Sequence, residues 1–147
     1  MENITTNKKV NFEYFVLKRF VAGIALVGSE VKSVRNKSVS LRDSFVTFRH
    51  GEAFVHNMFI KTYEQTKSFA VNERRTRKLL LNKSEINELS EKVEQKGLTV
   101  VPTRLFFDRH LVKLEIALCK GKLLHDKRET IKKRDLQRSI QRELKSS

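Results

Sequence analysis

The chain has 147 residues, a formal net charge of +14 and a sequence pI of about 10.2. This length suits one domain with an appendage. The charge favours an anionic partner, and nucleic acid comes before a membrane surface because the sequence has no long apolar run. The single cysteine, Cys119, excludes an internal disulfide and a thiolate zinc site and indicates a reducing, cytoplasmic compartment.

The first elements predicted are strands and one short helix. Residues 1–9 are polar and are predicted to be loose. The aromatic and β-branched stretch 12–27 predicts two strands, or one long strand that bends at Gly23. Gly28 and Ser29 are then predicted to cap a short helix over residues 30–35.

A hairpin and a longer helix follow. Segments 45–49 and 52–60 flank His50-Gly51, which is typical of a hairpin turn. Residues 82–96 form the clearest predicted helix. Asn82 and Glu85 have the spacing of a capping box, and Gly97 stands where a helix ends.

Two strands close the folded part of the chain. The segment 98–107 contains the only proline, Pro102, which favours an edge position or a bulge. The segment 112–119 alternates apolar and polar residues and predicts a half-buried strand with one wet face. Residues 108–110 are predicted to form the turn between them.

Strands therefore dominate, and the predicted fold is mainly β. We predict a small antiparallel barrel of the oligonucleotide-binding (OB) type, closed or nearly closed, with about three peripheral helices. A split sheet with helices on one face is the alternative. The predicted barrel domain covers residues 1–120, and residues 121–147 form a separate basic tail.

The tail 121–147 is rich in lysine and arginine and poor in apolar residues. Leu136, Ile140 and Leu144 would form only one thin line on a helix, whereas a globular helix shows a broader apolar stripe. We expect this segment to be disordered when free and to become helical on a polyanion. A solvated basic terminus without a role is the alternative.

Catalytic and metal-binding signals are weak. The sequence has no phosphate-binding loop, serine-hydrolase elbow or HExxH motif, and its four histidines lack ligand spacing. Cys119 ends an apolar strand, which favours an inert core residue over a nucleophile. We predict that the protein is not an enzyme and needs no metal or cofactor.

Basic clusters carry the stronger signals. The run 74–78 reads Arg-Arg-Thr-Arg-Lys and is predicted to clamp phosphates, because arginine forks match phosphate oxygens; a merely soluble loop is the alternative. A second cluster contains Lys32, Arg35 and Lys37, and a third is Lys8-Lys9. Most aromatic residues are expected in the core, although some could stack on bases.

Together these motifs resemble the small protein B family, also called the SsrA-binding protein family, the bacterial partner of tmRNA. The matching stretches run in family order and cover nearly the whole chain: Asn7-Lys8-Lys9 with Tyr14, Ala22-Gly23-Ile24, residues 28–33, Asp43-Ser44-Phe45, Gly51-Glu52-Ala53, residues 75–81, Gly121-Lys122, residues 125–128 and Ile131-Lys132. Val21 stands where the family usually has an acidic residue. The family's usual proline before Arg77 is also absent.

The resemblance implies an OB-type barrel that binds the tRNA-like domain of tmRNA during rescue of stalled ribosomes. The body would replace the missing anticodon arm. The tail would enter the decoding centre and the vacant mRNA channel and become helical there. The delivered complex would be alanyl-tmRNA with elongation factor Tu and GTP.

The predicted site residues combine charge with this resemblance, which contributes Leu80, Gly121 and the tail motif. For tmRNA they are Lys8, Lys9, Glu30, Lys32, Arg35, Arg75, Arg77, Lys78, Leu80 and Gly121. For the ribosomal decoding site they are Lys122, His125, Asp126, Lys127, Arg128, Lys132, Lys133 and Arg134. A small RNA-processing enzyme and a structural ribosomal protein are the rival interpretations.

Overall fold

The computed structural model describes residues 2–62 and 72–122. Its helices are α1 (Val10–Glu13), α2 (Gly28–Arg35) and α3 (Lys83–Lys96). Its strands are β1 (Glu2–Thr6), β2 (Tyr14–Ile24), β3 (Val39–Ser40), β4 (Phe45–Arg49), β5 (Glu52–His56), β6 (Phe59–Ile60), β7 (Arg77–Leu80), β8 (Thr99–Asp108) and β9 (Leu111–Gly121). The mainly β character and the three helices of the described part are as predicted.

Seven strands form one antiparallel sheet in the order β1-β8-β4-β5-β7-β2-β9. Because β8 also pairs with β9, the sheet curls back on itself into an OB-like barrel. The join between β4 and β8 is reduced to one residue pair, Val46 opposite Val100, so the barrel is not fully closed. Strands β3 and β6 form a separate two-stranded sheet.

The predicted loose start of the chain is wrong. Residues 2–6 form β1, which pairs with β8 from Glu2 opposite Phe107 to Thr6 opposite Arg104. Ile4 is the one buried side chain of this strand. A polar strand at the edge of a sheet needs few apolar residues, which is why its composition gave no strand signal.

The predicted strand stretch 12–27 forms one long strand only over Tyr14–Ile24, and its first two residues lie in α1 instead. The irregularity of this strand is not at the predicted position, Gly23. The register of β2 against β9 shifts between Val16 and Lys18. Gly23 instead allows a close approach, because a Cβ there would lie 3.3 Å from the Cβ of Leu80. Glycine in a strand marks either a bend or a close neighbour, and here it marks the neighbour.

Most predicted turns are confirmed, but the predicted cap of α2 is wrong. The helix begins at Gly28 with Val27 as its N-cap, because the Glu30 carboxylate accepts from the backbone N–H of Val27 at 3.1 Å. His50 and Gly51 join β4 to β5 with φ of 51° and 73°, as a tight hairpin turn requires. The predicted strand 52–60 breaks at Asn57, whose φ is 63°. The backbone N–H of Asn82 donates to the Glu85 carboxylate at 3.2 Å, and Gly97 ends α3 in the left-handed conformation.

Strands β8 and β9 supply nine of the 24 buried hydrophobic residues in the described part of the chain. The register of β8 shifts just after Pro102, which confirms the predicted bulge. The predicted wet face of β9 is wrong in its second half. There Ala117 and Cys119 are fully buried in a second cluster with Val10 and Val101, because α1 lies over this part of the sheet.

Candidate nucleic-acid interface

Strand β7 sends alternate side chains to opposite faces of the barrel. Arg77 and Leu79 are buried, whereas Lys78 and Leu80 are exposed. This period of two is the ordinary geometry of a strand. The predicted phosphate clamp is therefore divided between the interior and the surface.

Glu30 joins α2 to the basic run. Its carboxylate lies 2.6 Å from Nη2 of Arg77 and 2.6 Å from Nη2 of Arg75. The Nε atoms of the two arginines also donate to it, at 2.7 Å from Arg77 and 3.2 Å from Arg75. The side chain of Glu30 is only 5% exposed, so one buried carboxylate holds two guanidinium groups.

Arg77 is enclosed on every side. Its exposure is 0%, and its Nη1 donates to the carbonyl oxygens of Met58 at 2.6 Å and Arg75 at 3.2 Å. Its Nη2 donates to the carbonyl oxygen of Glu73 at 3.1 Å. A guanidinium with these partners does not face an external phosphate. The structure thus corrects the predicted RNA-binding role of Arg77 to a structural one.

The protonation of this cluster follows from its partners. Burial alone would raise the pKa of Glu30, but hydrogen bonds from Arg75, Arg77 and the Val27 backbone outweigh it, so the pKa lies below its ordinary value. Burial lowers the pKa of Arg77, and the hydrogen bond and charge of Glu30 oppose this. Arginine nevertheless stays charged. Glu30 is therefore a buried anion and does not face an RNA partner.

Other predicted cations face outward. Lys32 and Arg35 lie exposed in the last turn of α2. Arg75 keeps 28% of its side chain exposed while it pairs with Glu30. Lys78 pairs with Glu52 at 2.5 Å, and both side chains are nearly half exposed. The outward cations on α2 and around β7 form what we call the α2–β7 surface: Lys32, Arg35, Arg75 and Lys78.

Leu80 projects from the end of β7 with 56% of its surface exposed. Val21 and Leu111, 51% and 62% exposed, are further large apolar side chains at the surface. Leu80 lines two grooves; one also contains Val21 and the other Leu111, and Lys113 lines both. Leu111 and Lys113 are thus possible contact residues that no sequence motif singled out. Alternation along β9 pointed Lys113 outward but did not reveal which residues lie beside it.

Lys8 and Lys9 are exposed and line a shallow groove with Arg42 and residues of β1 and β3. Arg42 is one exposed cation that the sequence analysis did not select. It lies far from the lysines in sequence, so only the fold could bring it to them.

The last described residues lie where β9 ends. Gly121 is exposed and pairs with Tyr14, and a Cβ at this position would meet nothing within 4 Å. Lys122 is attached to the body by its backbone and its side chain. The other predicted tail residues lie outside the described residues: His125, Asp126, Lys127, Arg128, Lys132, Lys133 and Arg134.

The described part of the chain offers no metal-binding cluster. Across residues 2–62 and 72–122, no three His, Cys, Asp or Glu side chains come together to hold a metal ion. His56 stacks on Phe45 and lies 2.6 Å from the Thr47 hydroxyl. Burial raises the pKa of the Cys119 thiol to about 11, which agrees with the predicted inert core residue.

No helix within the described ranges is long and apolar enough to span a bilayer.

The curled sheet, its outward cations and its exposed apolar strand ends define a basic OB-like barrel protein of the class that binds nucleic acids. The family model described as SmpB protein matches residues 4–146. The SsrA-binding protein of Acholeplasma laidlawii is 50% identical, covering 99% of this chain and 97% of the relative. That of Trichodesmium erythraeum is 48% identical, covering 97% and 92%. The chain belongs to the SmpB family.

A solved structure agrees with this assignment. A chain of the structure reported as "tmRNA-SmpB: a journey to the center of the bacterial ribosome" superposes with a TM-score of 0.69 and 41% identity, covering 86% of this chain and 93% of that one. The predicted family and mainly β fold are confirmed by these matches.

Proposed function

We propose that this protein binds the tRNA-like domain of tmRNA and delivers it to stalled bacterial ribosomes for trans-translation. The match to the SmpB family over nearly the whole chain carries this proposal. The similarity to a chain from a tmRNA-SmpB structure supports it further. The delivered complex is alanyl-tmRNA with elongation factor Tu and GTP, and the protein works in the cytoplasm, where ribosomes are. It has no catalytic step of its own.

The α2–β7 surface supplies the chemistry for the first contact. Its cations are suited to the phosphate backbone of a folded RNA, and the apolar side chain of Leu80 is suited to the face of a base or ribose. Structured RNA is recognised mainly by shape and backbone. We assign Lys32, Arg35, Arg75, Lys78 and Leu80 to this contact. Glu30 and Arg77 support it from inside.

Lys8, Lys9 and Gly121 are further contact candidates. Gly121 has open space around its Cα, so an RNA backbone could approach it closely. Lys8 and Lys9, with Arg42 beside them, offer a separate group of exposed cations. We assign Lys8, Lys9 and Gly121 to the tmRNA contact.

A salt titration tests the α2–β7 surface. Replacing Lys32 and Arg35 by alanine should lower the slope of log affinity against log salt by about two, because each lost phosphate contact removes roughly one unit. Lys96→Ala is the matched control for Arg35→Ala, since both residues lie in the last turn of a helix. An unchanged slope in the double variant would remove α2 from the RNA contact.

A truncation tests the proposed division of labour. We propose that the tail residues His125, Asp126, Lys127, Arg128, Lys132, Lys133 and Arg134 act in the decoding centre and mRNA channel, where the tail becomes helical. A chain that ends at Lys122 should then bind tmRNA like the full chain and support no tagging on stalled ribosomes. Normal tagging by the truncated chain would contradict this division.

A further inference from the structure

Lys122 makes three contacts with the described residues of the body at the point where the chain leaves the barrel. Its backbone N–H donates to the carbonyl oxygen of Glu13 at 2.9 Å. Its Nζ donates to the carbonyl oxygen of Asn11 at 2.9 Å and lies 5.0 Å from the ring centroid of Phe15. Both ends of one residue are thus bound to the same small region of the body.

The acceptors explain why a lysine is suited to this place. Helix α1 has only four residues, so the carbonyl groups at its end accept no hydrogen bond from an N–H within the helix. A cation near a helix C-terminus satisfies such carbonyls and is attracted by them. The face of Phe15, which is 44% exposed, adds a cation–π contact within the usual range.

The neighbouring lysine is bound differently. Lys120 lies two residues earlier on the same strand and is exposed. In the part of the chain that the structure describes, its ammonium group has no hydrogen bond or ion pair. Lys120 and Lys122 therefore carry the same charge near the same place, but only Lys122 connects the end of β9 to α1 and β2.

We propose that Lys122 is a positioning residue, a clamp that fixes the direction in which residues 123–147 leave the barrel. If the backbone were free to rotate after Gly121, the residues that follow could point in many directions. Their effective concentration at the target would then fall. The clamp removes that freedom at the first residue. Lys122 thus acts on the body, in contrast to the predicted role of contacting the decoding site. The inference rests on the proposed function, because it assumes that the tail acts at a fixed place on the ribosome.

Three variants test the clamp. Lys122→Met keeps the aliphatic stem and removes the charge and the donors, Lys122→Arg restores a cationic donor, and Lys120→Met is the matched loss of charge. Each full-length protein is assayed for tmRNA affinity, for tagging on stalled ribosomes and for amide hydrogen exchange. The tmRNA affinity of the unchanged protein tests the proposed function separately.

The clamp predicts a separation of these readouts. Lys122→Met should bind tmRNA with an affinity within about twofold of the parent and should tag stalled products several-fold less. Its residue-122 amide should exchange about tenfold faster, because the charge-assisted hydrogen bond that opposes local opening in the parent is lost. Lys122→Arg should recover most of the tagging, and Lys120→Met should tag like the parent.

Other outcomes overturn the clamp. Equal losses of tagging in Lys120→Met and Lys122→Met would show that charge alone matters. A loss of tmRNA affinity as large as the loss of tagging would place Lys122 in the RNA contact. Normal tagging by Lys122→Met would remove any role for the clamp. If the parent does not bind tmRNA, the proposed function is wrong, whereas the exchange of amide 122 still reports whether the clamp exists.

Discussion

Two basic segments look alike in sequence and differ in the fold. The run 74–78 is the denser in charge, yet its Arg77 is completely buried and its Arg75 is bound to Glu30. Helix α2 has a sparser pair, Lys32 and Arg35, and both side chains are exposed. The dense run thus buries one of its four cations and pairs a second with Glu30, whereas the sparse pair places both of its charges at the surface.

This difference shows that charge density along a chain does not indicate where the charge points. The direction is set by the element: β7 alternates, so Arg77 lies on the same face as buried Leu79. A buried guanidinium then requires a buried anion, and Glu30 on α2 meets that requirement. The ion pairs in turn connect α2 to β7, so the interior charges hold the exposed cations in place.

The largest expected effect comes from Arg77→Ala. Removing one partner of a buried ion pair leaves Glu30 without a full set of donors, and we expect the free energy of unfolding to fall by about 3–5 kcal/mol. Arg35→Ala is the control, because Arg35 is exposed and surface changes cost less than about 0.5 kcal/mol. Urea denaturation measures both. Equal losses of unfolding free energy in the two variants would contradict the proposed difference between buried and exposed arginines.

A second pair of variants divides β7 by its apolar residues. Leu79 is 1% exposed and Leu80 is 56% exposed. Leu79→Ala should lower the free energy of unfolding by about 2–5 kcal/mol, while Leu80→Ala should change it by less than about 0.5 kcal/mol. When the folded proteins are compared, Leu80→Ala should bind tmRNA more weakly than Leu79→Ala. A normal affinity for Leu80→Ala would exclude this side chain from the contact.

Acid should weaken the buried cluster gradually. The folded-state pKa of Glu30 lies below its ordinary value of 4.5, so the ionised carboxylate contributes stability that is present above pH 4.5 and is lost as pH falls through the folded-state value. The difference in unfolding free energy between the parent and Glu30→Gln should therefore shrink with acid. Denaturation curves between neutral pH and pH 3 check this, and a constant difference would contradict an ionised Glu30.

The smallest effect is expected at the end of β9. Gly121→Ala adds a methyl group into open space, so the unfolding free energy should change by less than about 0.5 kcal/mol. Any loss of tmRNA binding or tagging in this variant then reports contact with a partner. Unchanged binding and tagging would mean that Gly121 has no such contact, and thermal unfolding would check the stability.

Local signals predicted most of the elements. Asn82 and Gly97 marked the ends of α3, His50-Gly51 marked the hairpin, and Pro102 marked a bulge. In each case neighbouring residues decide the backbone conformation, so the sequence contains the whole signal. The predicted contact residues Lys32, Arg35, Lys78 and Leu80 are exposed for a similar reason, because they lie on the outward face of their own element.

The remaining features depend on partners far away in sequence. The strand β1 is recognisable only once β8 is beside it, and the burial of Cys119 requires α1 above β9. The inward role of Glu30 depends on Arg75 and Arg77, more than forty residues later. The alternation Arg77-Lys78-Leu79-Leu80 was the one local signal that could have placed Arg77 inside. The positive charge of the residues around Arg77 obscured this signal.

The pairing of the first strand with the eighth has a consequence for how the protein is made. Residues 2–6 leave a translating ribosome before the rest of the barrel, but their partners at 104–107 are among the last parts of the barrel to be synthesised. The same holds for β2, which waits for β9. Pairings of such long sequence separation form slowly. The nascent β1 segment therefore stays without its partner strand until nearly the entire barrel has been translated.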